Sequence, residues 1–214
     1  MTTYGLLIFE GAGELGSAGP WEVFTASARI RDQDDQVMLV AAQPGPVRCG
    51  CGCGMQVRPS HTFGNHPPLD VLLVAGGPGA CRAVSSPAVV GWIGKAARDA
   101  AWRVSVGTGA LLLHAAGLTR GRRVAAHLAY ADRLEARGDV TVVRDLRYVV
   151  DGRLVTSQGA AAALDMALWL VGRIHGRDHA GAVRRAVQSQ PAPQQTVFQR
   201  PAPRYEAVPA RQSR

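Results

Sequence analysis

Lysine is almost absent from this chain, since Lys95 is the only one among 214 residues, and the net charge of +8 comes from arginine. An excess of positive charge attracts acidic partners or substrates by long-range electrostatics. The sequence lacks zinc-finger spacing, a recognisable helix-turn-helix and the aromatic and basic strand pattern of RNA-binding domains. We therefore expect an acidic small molecule, and not nucleic acid, as the partner.

Long hydrophobic runs are missing as well. No stretch reaches the roughly 18 apolar residues that a membrane-spanning helix needs. The first residues, Met1 to Tyr4, lack the basic start of a signal peptide. These absences predict a cytoplasmic protein without a membrane partner.

Cysteine is scarce and lacks metal-site spacing. The four cysteines are Cys49, Cys51, Cys53 and Cys81, and disulfides are not expected in a chain without an export signal. The run from Cys49 to Cys53 could hold a soft metal ion, but the usual pair spacing of ligands is missing. Alternate residues of a strand share one face, so a hairpin arm packed with small residues is the other interpretation. We expect no metal and no cofactor.

Apolar strands alternate with helices along most of the chain, which predicts an α/β fold with a mainly parallel sheet covered by helices on both faces. This domain is predicted to cover residues 1–189. Proline, glutamine and arginine dominate residues 190–214, a composition that predicts a flexible tail. The predicted strands are 4–9, 36–42, 70–75 and 103–106, with further short strands over 139–156. The predicted helices are 20–29, 87–99, 159–174 and 179–188. Glycine-rich sequence to about residue 59 and the Asp151-Gly152 pair predict two hairpins.

The segment 102–113 is typical of a nucleophile elbow, in which a strand, a sharp turn and a helix present one side chain to a ligand. Gly107 stands at the tip of this turn, where glycine is also common simply because it accepts positive φ. Ligands of open α/β sheets bind beyond the carboxyl ends of the strands. Backbone N–H groups of Gly76, Gly77 and Thr108 are therefore predicted to form an anion pocket.

Five segments in consecutive order resemble the motifs of the ThiJ/PfpI superfamily. They are residues 9–24, 69–79, 105–113, 121–127 and 151–156. The most similar branch contains isonitrile hydratases and the ligand-binding-like domains of AraC-type regulators. The resemblance covers about residues 4–190 and implies a flavodoxin-like α/β/α sandwich, like that of class I glutamine amidotransferases, and a homodimer.

The chain departs from this family at two positions. The family elbow usually reads Val-Cys-Thr-Gly, whereas this chain has glycine at 107, and the position of the usual acidic partner is Gly16. Covalent chemistry through a thiolate is therefore not transferred to this chain. Two missing side chains predict a widened pocket lined by Gly16 and Gly107. Ser157 and Gln158 replace family glycines and are predicted to add polar groups to it.

Three residues are candidates for acid–base chemistry. Glu14 precedes Gly16 by two positions, although an exposed loop glutamate is an alternative interpretation. His127 matches a histidine common in the resembling branch, and its alternative role is a structural hydrogen bond. Thr108 would supply its hydroxyl and its N–H group.

Three functions follow from these residues. The first is an enzyme that condenses an amine with a carbonyl, or cyclises the product as in a Pictet–Spengler reaction, on a carboxylate-bearing substrate. The arginine-rich composition is typical of high-GC bacteria, in which such folds serve natural-product pathways. The second is a non-catalytic binding or regulatory protein, and the third is an isonitrile hydratase-like lyase.

Overall fold

An eight-stranded sheet forms the centre of the computed structural model, which describes residues 1–50, 53–189 and 198–200. The strands are β1 (Thr3–Leu7), β2 (Gln36–Ala41), β3 (Val47–Arg48), β4 (Gln56–Val57), β5 (His61–Thr62), β6 (Val71–Val74), β7 (Trp102–Val106), β8 (Arg123–Val124), β9 (Thr141–Val142), β10 (Tyr148–Asp151), β11 (Leu154–Ser157) and β12 (Phe198–Arg200). The helices are α1 (Glu14–Arg31), α2 (Ala80–Ala83), α3 (Pro87–Asp99), α4 (Gly109–Ala115), α5 (Leu128–Glu135), α6 (Ala160–His175) and α7 (Arg177–Ala186).

The central sheet has the strand order β12-β10-β11-β7-β6-β1-β2-β5. Its neighbouring strands are parallel except for the β10–β11 hairpin, in which Val150 lies opposite Val155. Two short pairs, β3–β4 and β8–β9, lie outside it. This arrangement confirms the predicted mainly parallel sheet and both predicted hairpins.

Two hydrophobic layers cover the faces of the sheet. One contains side chains of α1, α6 and α7, such as Phe24, Met166 and Val183. The other contains side chains of α3, α4 and α5, such as Ile93 and Leu112. The strands β1 and β6 are buried along their whole lengths, because both faces are covered by helices. The predicted three-layer α/β/α sandwich is therefore confirmed.

The first helix was predicted with the wrong start. Residue Pro20 was expected in its first turn, but the helix begins at Glu14 and Pro20 lies inside it. An interior proline provides no N–H for the carbonyl group four residues earlier, here that of Gly16, and usually breaks a helix. Residues Gly16, Gly19 and Pro20 are buried, so packing against α6 overrides the local preference of proline.

Several short elements have no counterpart in the sequence prediction: β5, α2, α5 and β8, whereas β9 lies within the predicted short strands of 139–156. Within the predicted tail, residues 198–200 form β12, which pairs in parallel with β10. The expected flexibility of residues 190–214 otherwise concerns positions outside the described residues. Among the described residues, no helix is long and apolar enough to cross a membrane.

Candidate functional site

The predicted elbow has the expected backbone form. Strand β7 ends at Val106, Gly107 follows with φ +54°, and Thr108 precedes the first residue of α4. The Gly107 N–H donates to the Ser157 carbonyl at 2.9 Å, and the Gly107 carbonyl accepts from Ala110 N–H at 3.3 Å. The turn is thus fixed on one side by β11 and on the other by its own helix.

The space above Gly107 is open enough for a side chain. A Cβ atom at this position would lie 3.6 Å from the Gln158 carbonyl oxygen and 3.8 Å from both the His127 Cβ and the Gly159 Cα. These are ordinary van der Waals distances. The neighbours therefore do not require glycine, whereas the positive φ favours it.

Gly16 is a different case, although it lies beside the same strand end. It is buried in α1, and a Cβ atom there would lie 3.2 Å from Val106 Cγ1. Since Val106 is the last residue before the elbow, the structure does bring Gly16 close to that turn. The Val106 side chain, however, already occupies much of the space that a missing carboxylate was expected to leave.

The glycine-rich loop after β6, residues 76–79, packs closely against the elbow. A Cβ atom on Gly76 would lie 2.3 Å from the Val106 carbonyl oxygen, so only glycine fits there. The Gly76 carbonyl accepts a hydrogen bond of 2.7 Å from Gly13 N–H, at the start of α1. Three segments, the start of α1, the glycine loop and the elbow, therefore meet at the carboxyl ends of the strands.

Thr108 has a different environment from the one that we expected. Its hydroxyl accepts from Gly77 N–H at 2.8 Å and donates to the Gly77 carbonyl at 3.0 Å, and the residue is 6% exposed. The Gly77 N–H, expected to face a ligand, thus has an internal partner. The N–H groups of Gly76 and Thr108 make no hydrogen bond within the described part of the chain.

His127 lies at the elbow and caps α5. Its Nδ1 accepts from Ala129 N–H at 3.3 Å, which places the proton of the neutral imidazole on Nε2. The residue is exposed, and Nε2 has no hydrogen-bond partner among the described residues. The Nε2–H is thus free to meet a ligand.

Glu14 faces the turn of the β3–β4 hairpin, which we call the hairpin arm, and not the elbow. Its Oε1 lies 2.5 Å from where a Cβ of Gly50 would be and 2.4 Å from that of Gly54. It makes no hydrogen bond with a described residue of the elbow. Burial raises the pKa of the Cys49 thiol, and the carboxylates of Glu14 and Glu10 raise it further.

The two polar residues at the end of β11, Ser157 and Gln158, differ in their exposure to solvent. Ser157 is fully buried, and its hydroxyl donates to the Gly159 carbonyl at 3.4 Å. Gln158 is half-buried, its backbone N–H donates to the Arg147 carbonyl at 2.9 Å, and its side-chain amide bonds to no described residue. Of the two, Gln158 therefore has the side chain available to a ligand.

No group of three or more His, Cys, Asp or Glu side chains in the described ranges is arranged to hold a metal ion. Cys51 lies outside these ranges, so the prediction for residues 49–53 stays a prediction. Sequence reasoning also missed two cavities of about 350 and 400 Å³, which Gly107 does not line. The first lies beside α5. This helix was not predicted because its N-cap is His127, and histidine is not among the usual N-cap residues.

The DJ-1/PfpI family model matches residues 5–173, most of the described chain. The chain belongs to the DJ-1/PfpI family. Isonitrile hydratase from Pseudomonas putida is 36% identical over 189 residues, which cover 88% of this chain and 79% of that protein. The HTH-type transcriptional regulator CdhR from Pseudomonas aeruginosa is 35% identical over 108 residues, or 50% of this chain and 32% of the regulator.

Solved structures of DJ-1/PfpI proteins share this fold. A ThiJ/PfpI family protein from Pseudomonas syringae superimposes with a TM-score of 0.80 at 26% identity, covering 90% of this chain and 76% of that one. An AraC family transcriptional regulator from Pseudomonas putida gives a TM-score of 0.76 at 17% identity, covering 87% of this chain and all of the other. The flavodoxin-like fold of this chain is thus found both in a ThiJ/PfpI family protein and in a transcriptional regulator.

Proposed function

We propose that the elbow binds a small carboxylate-bearing molecule and promotes its reaction by positioning and proton transfer, without a covalent intermediate. One observation carries this proposal. The Gly76 and Thr108 N–H groups lack acceptors in the described structure, and a Cβ atom on Gly76 would lie 3.0 Å from the Thr108 nitrogen. Adjacent backbone donors at a fixed turn suit a carboxylate or a developing oxyanion.

The proton carrier in this proposal is His127. Its Nε2–H has no partner among the described residues, and its Cβ lies near the space above Gly107. An imidazole ring can both give and take a proton. Glu14 has no such position, because its carboxylate lies against the hairpin arm.

The reaction class is condensation of an amine with a carbonyl group, with or without ring closure. The amine nitrogen bonds to the carbonyl carbon as the C=O π bond opens, and one N–H proton passes to the oxygen to give a carbinolamine. The protonated His127 ring then gives a proton to this hydroxyl group, the C–O bond breaks to release water, and the ring regains its proton from the nitrogen as the C=N bond is completed. An imine and one water molecule are formed, and ring closure would add a carbon nucleophile to the imine carbon. No step needs a thiol. Gln158, which is half-buried and whose side-chain amide bonds to no described residue, would hold a polar group of the substrate.

The test is a thermal-shift panel of aromatic amino acids and keto acids, singly and in pairs, followed by mass spectrometry of the products. We expect at least one acid to raise the melting temperature, and His127→Gln to abolish turnover of the pair while binding persists. The control is His61→Gln, a change in the two-residue strand β5. If no acid stabilises the protein, or if His127→Gln leaves turnover unchanged, the proposal is wrong.

Non-catalytic ligand binding is the second candidate, and similarity to transcriptional regulators favours it. The chain spans about a third of the regulators CdhR and GbdR that it matches. Suppose that an acid binds the elbow and is recovered unchanged from every mixture of amino acid and keto acid. This result would support non-catalytic binding over condensation.

Isonitrile hydration is the third candidate, since the protein matched over 88% of this chain is an isonitrile hydratase. Position 107 carries no thiol, and Cys49 is buried with a raised pKa. We therefore expect no isonitrile turnover by the wild-type protein. Formation of an N-substituted formamide at the rate of a cysteine-bearing relative would overturn this ranking.

A further inference from the structure

A second cavity, of about 350 Å³, lies between α2, α4 and α5. Its wall carries Leu111 and His114 from α4 and Arg133 from α5. Gly76, Gly107, Thr108 and His127 do not line it. It is therefore a separate site from the elbow, although α4 connects the two.

The cavity wall is strongly cationic. Arg120, Arg133 and Arg137 line it, and no Asp or Glu does. Asp139, just outside, lies 3.5 Å from Arg120 and 3.6 Å from the His114 ring. It therefore compensates the charge on one side of the cavity only.

The other two arginines lack carboxylate partners within the described residues. Arg133 Nη1 lies 4.0 Å from Cys81 Sγ, and no ion pair forms at Arg137 within the described residues. The carboxylates closest in sequence to Arg133 are Asp132 and Glu135, and both are paired with Arg144. Arg133 and Arg137 are exposed, so their guanidinium groups give the cavity mouth a positive charge that attracts anions from solution.

The floor of the same cavity is apolar. Leu134 is fully buried, and Val84 and Leu111 complete the surface beneath the arginines. Burial lowers the pKa of His114, and Arg137 and Arg120 lower it too while Asp139 raises it, and the net lowering favours the neutral ring. A neutral imidazole leaves the arginines as the source of positive charge.

We propose that this cavity binds a small organic dianion, with its charged group on Arg133 and Arg137 and its apolar body on Val84 and Leu111. Guanidinium groups bind phosphate and carboxylate oxygens in pairs. A volume of about 350 Å³ is in the range of small-molecule sites. The ligand is a phosphomonoester or a dicarboxylate, and the two share the chemistry that the cavity recognises.

The first test is calorimetric titration of the full chain with phenyl phosphate, succinate and phenol at constant ionic strength. We expect phenyl phosphate or succinate to bind, and phenol to bind at least tenfold more weakly. Substitution Arg137→Ala should weaken binding of the anion about tenfold, as for loss of one charge-assisted contact. The matched control is Arg98→Ala, on the exposed side of α3, which should leave the affinity unchanged.

The second test locates the ligand. Cys81 lines the cavity and is partly exposed, whereas Cys53 is exposed elsewhere. Saturating anion should slow alkylation of Cys81 by iodoacetamide at least fivefold, measured by peptide mapping, and leave Cys53 unchanged. Equal rates at Cys81 with and without the anion, or an unaltered affinity in Arg137→Ala, would overturn the proposal. A ligand bound only at the elbow would leave Cys81 unprotected. The proposal for this cavity and the proposed function of the elbow can therefore be tested independently.

Discussion

The Thr108 hydroxyl bonds to both backbone polar groups of Gly77, accepting from its N–H at 2.8 Å and donating to its carbonyl at 3.0 Å. A side chain in the elbow thus holds a loop that precedes it by 31 residues. The Thr108 side chain is a positioning group in this arrangement, and its backbone N–H remains the group available to a ligand.

Replacing Thr108 by valine should therefore destabilise the protein. The shape is kept, but the Gly77 N–H and carbonyl lose a buried partner, which costs about 1–3 kcal/mol of unfolding free energy. Urea unfolding measures the change. Thr108→Ser keeps the hydroxyl and is the control, so an equal loss in both variants would contradict the proposed clamp.

Gly107→Ala tests the backbone of the elbow. Its φ of +54° is unfavourable for an L side chain, whereas a Cβ atom would meet no neighbour closer than 3.6 Å. We expect a loss of about 1–2 kcal/mol from backbone strain alone. The comparison is Gly91→Ala in α3, where nothing lies within 4 Å of the added atom and alanine should stabilise the helix by up to about 1 kcal/mol.

The contact between Gly16 and Val106 can be measured by a double-mutant cycle. The Cβ of Gly16→Ala would press on Val106 Cγ1 at 3.2 Å, which offsets the better helix propensity of alanine. In a Val106→Ala background the same change should be stabilising, with a coupling energy of about 0.5–3 kcal/mol. Strict additivity in urea unfolding would show that Val106 does not fill this space.

The stability of the protein should fall on acidification. His175, whose side chain is 3% exposed, contacts the Tyr4 hydroxyl, Arg31 and Asp35, and its ring also packs against His179. Burial, and then the positive charge of Arg31, lower its pKa to about 4, while Asp35 has the opposite effect. Below the unfolded-state pKa of 6.5, the unfolded chain binds more protons than the folded one.

The contribution of His175 to the free energy of unfolding is therefore fully present above about pH 6.5, and it is lost as the pH falls towards 4. Melting temperatures at pH 7.5 and 5 should differ less in His175→Gln than in the wild-type protein. Some slope should remain, because burial also lowers the pKa values of His114 and His179. A matching change in His61→Gln would show that the effect is not specific to His175.

Much of the fold could be predicted because its signals are local. The bounds of α3, Pro87–Asp99, follow from a serine cap and a proline in the first turn. The Asp151-Gly152 turn reflects the positive φ of Gly152, +64°. The elbow was visible for the same reason, since it is a continuous stretch of strand, glycine and helix.

The parts that were missed depend on contacts distant in sequence. The occupied N–H of Gly77 results from a hydrogen bond between segments 31 residues apart, and no pattern within either segment contains it. Packing on α6 keeps α1 helical through Pro20. The cationic cavity arises only when α2, α4 and α5 are brought together in three dimensions.

The two edges of the central sheet are formed by very short strands. At one edge lies β5 with two residues, and at the other β12 with three. Short edge strands are a common protection against sheet extension and aggregation. Strand β5 covers only Val40 and Ala41 of β2, so the outer edge of β2 at residues 36–38 has no described strand beside it. A further strand added on this side of the sheet would find its longest open edge there, and not along β5.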